Sequence, residues 1–500
     1  MSPVTAFTSM PLWAVAVSLL AAGVIFALGE GRRRTRTVVN LAAAVVKLLM
    51  IAVMIEAVRA GTDFEFRMPL LPGLDLVLKA DALSLLFMTL SALLWLLTTV
   101  YAIGYLERSP NRARFFGFFS LCVASTMGIA TAGNLFTFFV FYELLTLATW
   151  PLVAHRGNAA SLAGARTYLV YTLSGSAVFL VGLVWLYGIA GSQDFILGGS
   201  VADAVGTGRE GSLRLAFVLI AVGLGVKAAL VPLHGWLPKA MVAPAPVSAL
   251  LHAVAVVKAG AFGLVRLVED VYGFELASAL GLTQGLALVA GVTVVYGSVR
   301  ALGQMDLKRR LAWSTVSQVS YIALGVAVGG PLALTGGLVH LVHQGLMKIT
   351  LFFCAGVYAE RLGIHRIDEL DGVGRTLPWA SAAFTVGALG MIGLPPMAGF
   401  ISKWFLGLGA LDAGQPWVLG VLVASTLLNA AYFLPVLRRI WFAPRRGDWP
   451  QPTTLGPWTV AALTVPAVLT AAMSIGAGLL AGLPLSPLGW VELIVARGRP

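Results

Sequence analysis

The feature that most constrains this chain is a long succession of apolar runs separated by short polar breaks. Each run is close to the roughly 20 residues a helix needs to cross a bilayer. Fourteen can be marked, at 12–29, 38–58, 82–106, 115–132, 135–154, 167–190, 213–233, 245–267, 279–299, 311–329, 332–359, 379–408, 417–442 and 457–483. Backbone crossing hydrocarbon must satisfy its own polar groups, which helices do within one segment. The expected fold is therefore an all-α polytopic membrane protein with 14 transmembrane helices. Stretches between runs, 191–212 among them, are too short to bury a core, so no soluble domain is expected. Composition agrees: 58% of residues are hydrophobic and 11% charged, against about a quarter charged in soluble proteins.

The chain carries 34 Lys+Arg against 22 Asp+Glu, a net charge of +12 that could serve nucleic acid if it formed a stripe or tail. It alternates instead. Loops after odd-numbered runs hold 21 of the 34, among them Arg32, Arg33, Arg34 and Arg36 and, later, Arg438, Arg439, Arg445 and Arg446. The opposite side holds 8: Arg59, Arg67, Lys79, Arg209, Arg214, Arg266, Arg497 and Arg499. Basic residues prefer cytoplasmic loops, so this split reports orientation, with both termini outside, and removes nucleic acid as its explanation. The first run does not read as a cleavable signal, because residues 1–11 contain no Lys or Arg and the basic cluster follows the run. Cys122 and Cys354 lie inside separate apolar runs, which excludes a disulfide framework, a CxxC motif and an iron–sulfur site.

Charge at membrane depth costs at least ~2.5–3.5 kcal/mol per residue on insertion scales, so each such residue asks for a partner or a task. They are Lys47, Glu143, Lys227, Lys258, Lys348 and Lys403, with His252, His340 and His343. Glu143 is the only carboxylate near the middle of a run, and a lysine is its expected counter-ion. Opening or closing such a pair changes the proton affinity of the lysine; a static buried ion pair is the alternative. Lys47 lies near the basic end of its run and is expected to snorkel as a structural residue. Glu56 and Asp81, near helix ends, are expected to be solvated or paired.

Two runs are interrupted. Pro232, Pro238, Pro244 and Pro246 break the seventh run and the approach to the eighth, with Lys227 just before the break, Lys258 beyond it, and His234 and His252 flanking it. For His252 alone, a hydrogen-bonded packing role is an equal alternative. Gly393, Pro395, Pro396 and Gly399 break the twelfth run, four residues before Lys403. Unpaired backbone at membrane depth must meet protein or a water-filled cavity. Two such breaks beside buried lysines point to a transporter with two related halves, although no residue-by-residue repeat is visible. Between them His340, His343, Gln344 and Lys348 fall on one helical stripe, a row able to pass protons through intervening waters. A paired-histidine metal or haem site is the competing reading, and it needs more ligands than the neighbourhood offers. Gly223-Leu224-Gly225 sits inside an apolar run, without the strand a nucleotide loop requires.

The segments FYELLTLATWPLVAH, VKAALVPLHGWLPKAMVAPAPVSALLHAVAVVKAG, DLKRRLAWSTVSQVSYIALG, HLVHQGLMKITLFFCAG and GLPPMAGFISKW resemble the antiporter-like subunits shared by respiratory complex I, Mrp-type cation/proton antiporters and membrane-bound hydrogenases. The resemblance covers roughly residues 75–445. It implies inverted repeats of helices 4–8 and 9–13, here 115–267 and 268–442, with helices 7 and 12 broken, flanked by helices 1–3 in 1–114 and by helix 14 and a short tail in 443–500. By resemblance Glu143 and Lys227 are the coupled pair, Lys258 the central lysine, and Lys403 the residue exchanging protons with the far side. His252, His340, His343 and Lys348 match positions along the same hydrated axis. Some family members carry Glu at the position of Lys403. Without the long lateral helix of the largest members, the chain looks most like the Mrp D-subunit. The implied function is proton translocation within a multisubunit Na⁺/proton antiporter of the inner (plasma) membrane, with other membrane subunits as partners and no cofactor, metal or redox site. The alternatives are a membrane subunit of an NADH–quinone oxidoreductase or hydrogenase, and an energy-coupling partner for inorganic-carbon uptake.

Overall fold

The computed structural model describes residues 8–201, 208–445, 447–450 and 453–497; Arg446 and Arg499 of the loop charges lie outside them. Helices α1 (Met10–Leu28) and α2 (Arg33–Arg59) lead into an antiparallel hairpin, β1 (Phe64–Leu71) and β2 (Leu74–Ala80). Then follow α3 (Ala82–Tyr105), α4 (Arg112–Thr131), α5 (Leu135–Val153), α6 (Ala159–Ala190) and α7 (Glu210–Lys227). After short helical turns come α8 (Ala245–Tyr272), α9 (Leu282–Leu302), α10 (Leu307–Val328) and α11 (Gly330–Leu362). The chain ends with α12 (Pro378–Ile392), α13 (Ala398–Asp412), α14 (Trp417–Trp441), α15 (Pro457–Leu479) and α16 (Pro487–Arg497). Among the described residues, 12 helices are long and apolar enough to cross a membrane. The protein is a multi-pass, predominantly helical membrane protein.

Several helices start where short polar side chains take up the unpaired first-turn N–H groups. Asp81 accepts from the Ser84 N–H (2.7 Å), Asn134 from Thr137 (2.8 Å), Asn158 from Ser161 (2.8 Å) and Asp306 from Arg309 (2.7 Å). Helices α8, α10 and α11 are buried along their apolar length, whereas α2 and α14 bury about a third of theirs. Small residues let the central helices meet backbone to backbone: a Cβ on Gly325 of α10 would lie 2.7 Å from Cα of Gly337 on α11. Apolar burial around these three helices forms the core in which the polar residues described below are embedded.

The structure departs from the sequence-based spans in particular places. The seventh span stops as a helix at Lys227, and the twelfth divides into α12 and α13. The eighth extends to Tyr272 through π-helical turns at Leu250–Val254 and Leu267–Tyr272. Arg266, counted above with the loops, is 2% exposed inside that extension. The hairpin replaces an expected loop, so Lys79 sits on β2; Gly73, with φ of +79°, turns its corner. Lys47 does not snorkel. It is fully buried, donates to Ser18 Oγ of α1 and lies 4.2 Å from the Trp95 ring centre. A helical segment, α16, occupies part of the expected tail.

Candidate functional site

The first break begins where α7 ends. Ala229 takes a left-handed conformation (φ 57°), and the backbone groups freed there are met by protein. Leu230 N–H bonds to Gly225 O (2.9 Å), Val231 N–H to Thr293 Oγ1 (3.0 Å), and the Trp236 indole to Val226 O (2.7 Å). Helix α8 returns against the break at Gly260, where a Cβ would stand 2.3 Å from the Ala228 nitrogen. The lysine is thereby fixed in the core. Lys227 is fully buried, donates to the backbone carbonyl of Tyr142 on α5, and has its amine 3.3 Å from that ring's centre.

Glu143 is the next residue along α5, turned about 100° around the helix from Tyr142. Its carboxylate accepts from Ser176 Oγ of α6. The expected counter-charges are therefore neighbours held by separate partners: the carboxylate by a hydroxyl, the ammonium by a carbonyl and a ring, with no direct ion pair between them among the described residues.

At the centre, Lys258 of α8 donates to the backbone carbonyl of Leu341 on α11 (2.7 Å). That carbonyl lies inside the stripe of His340, His343, Gln344 and Lys348, all buried. Lys348 donates to Ser314 Oγ of α10 (2.8 Å), which also accepts from Tyr432 OH of α14 (2.9 Å). Tyr432 bonds Asn429, whose amide donates to Ser425 Oγ (3.3 Å). His252 stacks on Phe352 with ring centres 4.5 Å apart. None of the polar side-chain atoms of His252, Gln318 or Gln344 finds a protein partner. A buried group left in that condition costs roughly 1–3 kcal/mol, and water, which donates and accepts, is the partner suited to such a row.

The second break faces the same stripe. Gly393 adopts φ of +92° after α12, and Gly399 at the start of α13 crosses so close to α12 that a Cβ would meet Gly390 O at 2.0 Å. His340 Nδ1 lies 2.8 Å from Ser402 Oγ of α13, its ring stacked on Tyr321 at 4.9 Å, and His343 lies against the backbone of Ala398. Lys403, half-buried, reaches back to the C-terminal carbonyl of α12 at Ile392 (2.7 Å) and to Thr426 Oγ1 of α14 (3.0 Å), with Tyr321 beneath its amine at 5.7 Å. It caps the open end of α12.

The structure thus places Lys258, His252, His340, His343 and Lys348 in the buried interior around α11, with Lys227 and Glu143 at the first break and half-buried Lys403 at the second. His234 stands apart, half-buried between Tyr296 (5.3 Å) and Trp313 (5.1 Å). Sequence reasoning missed the uncharged members Ser314, Gln318, Tyr321, Ser402, Ser425, Asn429 and Tyr432. The run WSTVSQVSY, polar at helical spacing inside an apolar span, was the available signal for three of them.

Residues 132–429 match the family model described as NADH:quinone oxidoreductase/Mrp antiporter, TM, and residues 73–116 match NADH-Ubiquinone oxidoreductase (complex I), chain 5 N-terminus. The chain belongs to the first of these families. It is 39% identical to NADH-quinone oxidoreductase subunit N of Desulforudis audaxviator over 74% of this chain and 73% of that protein. It is 32% identical to hydrogenase-4 component B of Escherichia coli over 69% of this chain, but spans only 52% of that longer protein. Among solved structures, a chain of the Mrp complex from Dietzia sp. DQ12-45-1b superposes with a TM-score of 0.85 at 26% identity, covering 99% of this chain and 98% of that one. The protein is thus a member of the antiporter/complex I-type family of proton-translocating membrane subunits.

Proposed function

We propose that this chain is a proton-translocating subunit of a multisubunit monovalent cation (Na⁺)/proton antiporter, working in the inner (plasma) membrane with other membrane subunits. The observation that carries the reading is the set of lysines and histidines held in the interior between the two helix breaks: Lys227 at the first, Lys258 bonded to the α11 backbone inside the α11 stripe, and His340 bonded to Ser402 beside Lys403 at the second. In this reading the breaks belong to the seventh and twelfth of 14 spans, α12 and α13 forming one, with inverted repeats at 115–267 and 268–442. The regions 1–114 and 443–500 flank them, and both termini face outside. Closing the Glu143–Lys227 gap stabilises the charge on Lys227; opening it releases that stabilisation and favours proton transfer toward Lys258. The α11 stripe passes the proton on, and Lys403 completes exchange with the far side.

The nearly complete superposition on a chain of an Mrp complex supports the antiporter assignment. A second reading, a proton-pumping subunit of an NADH–quinone oxidoreductase-type complex, is favoured by the 39% identity to a subunit N. The proton path is the same in both. Glu143→Ala and Lys227→Ala should each abolish proton-coupled cation exchange in membrane vesicles; unchanged exchange would overturn the assignment of roles. Purification from native membranes separates the two parents: small antiporter subunits co-purify in the first case, flavin and iron–sulfur subunits in the second.

A further inference from the structure

Beyond Lys258, helix α8 continues toward a second polar cluster. Phe262, Arg266 and Asp270 follow it at successive four-residue steps, so the four side chains share a face as far as the π-helical turn. Past them lies a cavity of about 490 Å³ at the hairpin end of the molecule, lined among others by Lys79, Asp81, Arg266, Glu269, Asp270 and Arg497. Any route from Lys258 along this face of α8 to the cavity passes the buried side chains of Phe262 and Arg266, and is distinct from the one through α11 to the second break.

Arg266 stands in that route. Its guanidinium binds both carboxylate oxygens of Asp81 (2.9 Å each), Asp270 (2.6 Å) and Ser84 Oγ (2.9 Å). The rings of Phe195 and Phe262 flank it at 5.2 and 5.3 Å, and Phe87 packs on Phe262 with ring centres 4.9 Å apart. A guanidinium offers only donors, accepts no proton and keeps its charge. A fixed cation of this kind is a barrier to proton passage. Two carboxylates compensate its burial while being occupied as acceptors themselves.

We propose that Arg266, held by Asp81 and Asp270, is a fixed-charge lock that closes the α8 route and directs protons from Lys258 to the second break. It is a positioning element rather than a proton carrier, and the proposal rests on the reading of Lys258 as one. If the cluster were instead an outlet, Arg266 would promote passage and its loss would slow exchange without a leak.

The test uses the full chain in everted membrane vesicles, reading passive collapse of an imposed pH gradient without driving cation alongside cation-driven exchange. Arg266→Gln should raise the passive leak at least threefold, whereas Phe262→Ala, which leaves the charge in place, should stay tight. Adding Lys258→Met to Arg266→Gln should remove the leak. A wild-type leak rate in Arg266→Gln, or a leak that persists in the double variant, would overturn the proposal. Should Arg266→Gln not accumulate in the membrane, the double variant Arg266→Gln with Asp270→Asn, which removes the fixed charge together with one of its counter-charges, takes its place with the same readout: a leak supports the lock and a tight membrane overturns it. Full exchange in Lys258→Met alone would defeat the underlying reading of Lys258, independently of any leak.

Discussion

The two helix breaks are built alike and charged differently. Each carries a lysine, and each is closed by a glycine at van der Waals limit, Gly260 at the first and Gly399 at the second. At the first, Lys227 is fully buried and a carboxylate is the next residue along the helix it touches. At the second, half-buried Lys403 meets only neutral oxygens, from Ile392 and Thr426. Lys227 can therefore exchange a carbonyl and ring for a full counter-charge, while Lys403 depends on a helix C-terminus and its surroundings. In the proposed reading the first break switches and the second exchanges.

That difference can be broken most severely by placing two negative charges at the first break. Lys227→Glu beside Glu143 should abolish exchange in vesicles, whereas Lys403→Glu, with no acid beside it, should retain activity within about tenfold of wild type, since a like-charge pair disfavours ionisation and a lone carboxylate does not. The charge-swapped pair Glu143→Lys with Lys227→Glu should recover part of what either single change loses; no recovery would mean that the two positions do not act as a pair.

The shared architecture is tested by the glycines. Gly260→Ala and Gly399→Ala should each lower stability by about 1–3 kcal/mol through overpacking against backbone that cannot turn aside, seen as a lower melting temperature in detergent. Equal drops would mean that the breaks are held by the same device.

A smaller, pH-dependent effect belongs to the cluster at the hairpin end. Arg266 beside Asp81 holds that carboxyl down at about 2. A depressed folded-state pKa stabilises the protein above the ordinary aspartate pKa, and that contribution is lost as pH falls toward 2. Asp81→Asn should cost about 2 kcal/mol near neutral pH, and its melting-temperature gap to wild type should narrow below about pH 4. The smallest effect is expected at Lys47, off the row: Lys47→Met should change exchange less than about twofold, because replacing a buried charge by an apolar group of similar shape is often neutral or stabilising.

Much of this site was legible in the sequence because charge inside an apolar run is costly and therefore conspicuous. Glu143 and the lysines could be picked out one by one on that ground, and the prolines beside Lys227 and Lys403 marked the breaks. Serine, tyrosine and asparagine at membrane depth are cheap enough to be common, so Ser314, Tyr432 and Asn429 carried no comparable signal until Lys348 was seen to bond into them. Arg266 was misassigned for a related reason. It lies one residue inside the expected end of its span, where an arginine reads as a loop anchor, and only the π-helical extension to Tyr272 places it in the interior. The hairpin was hidden by its length, since two short strands beside fourteen long apolar runs resemble a polar connection.

The sequence by itself determined that the chain crosses the membrane many times, where its helices break and which lysines and histidines stay at depth with Glu143, because hydropathy and the cost of burying charge act locally along the chain. Only the tertiary structure decided that Glu143 and Lys227 are apart, that Lys258 bonds the α11 backbone and that Arg266 is clamped between two aspartates. Those outcomes depend on which helices touch and at what height, and packing fixes that between residues as far apart in sequence as Asp81 and Arg266.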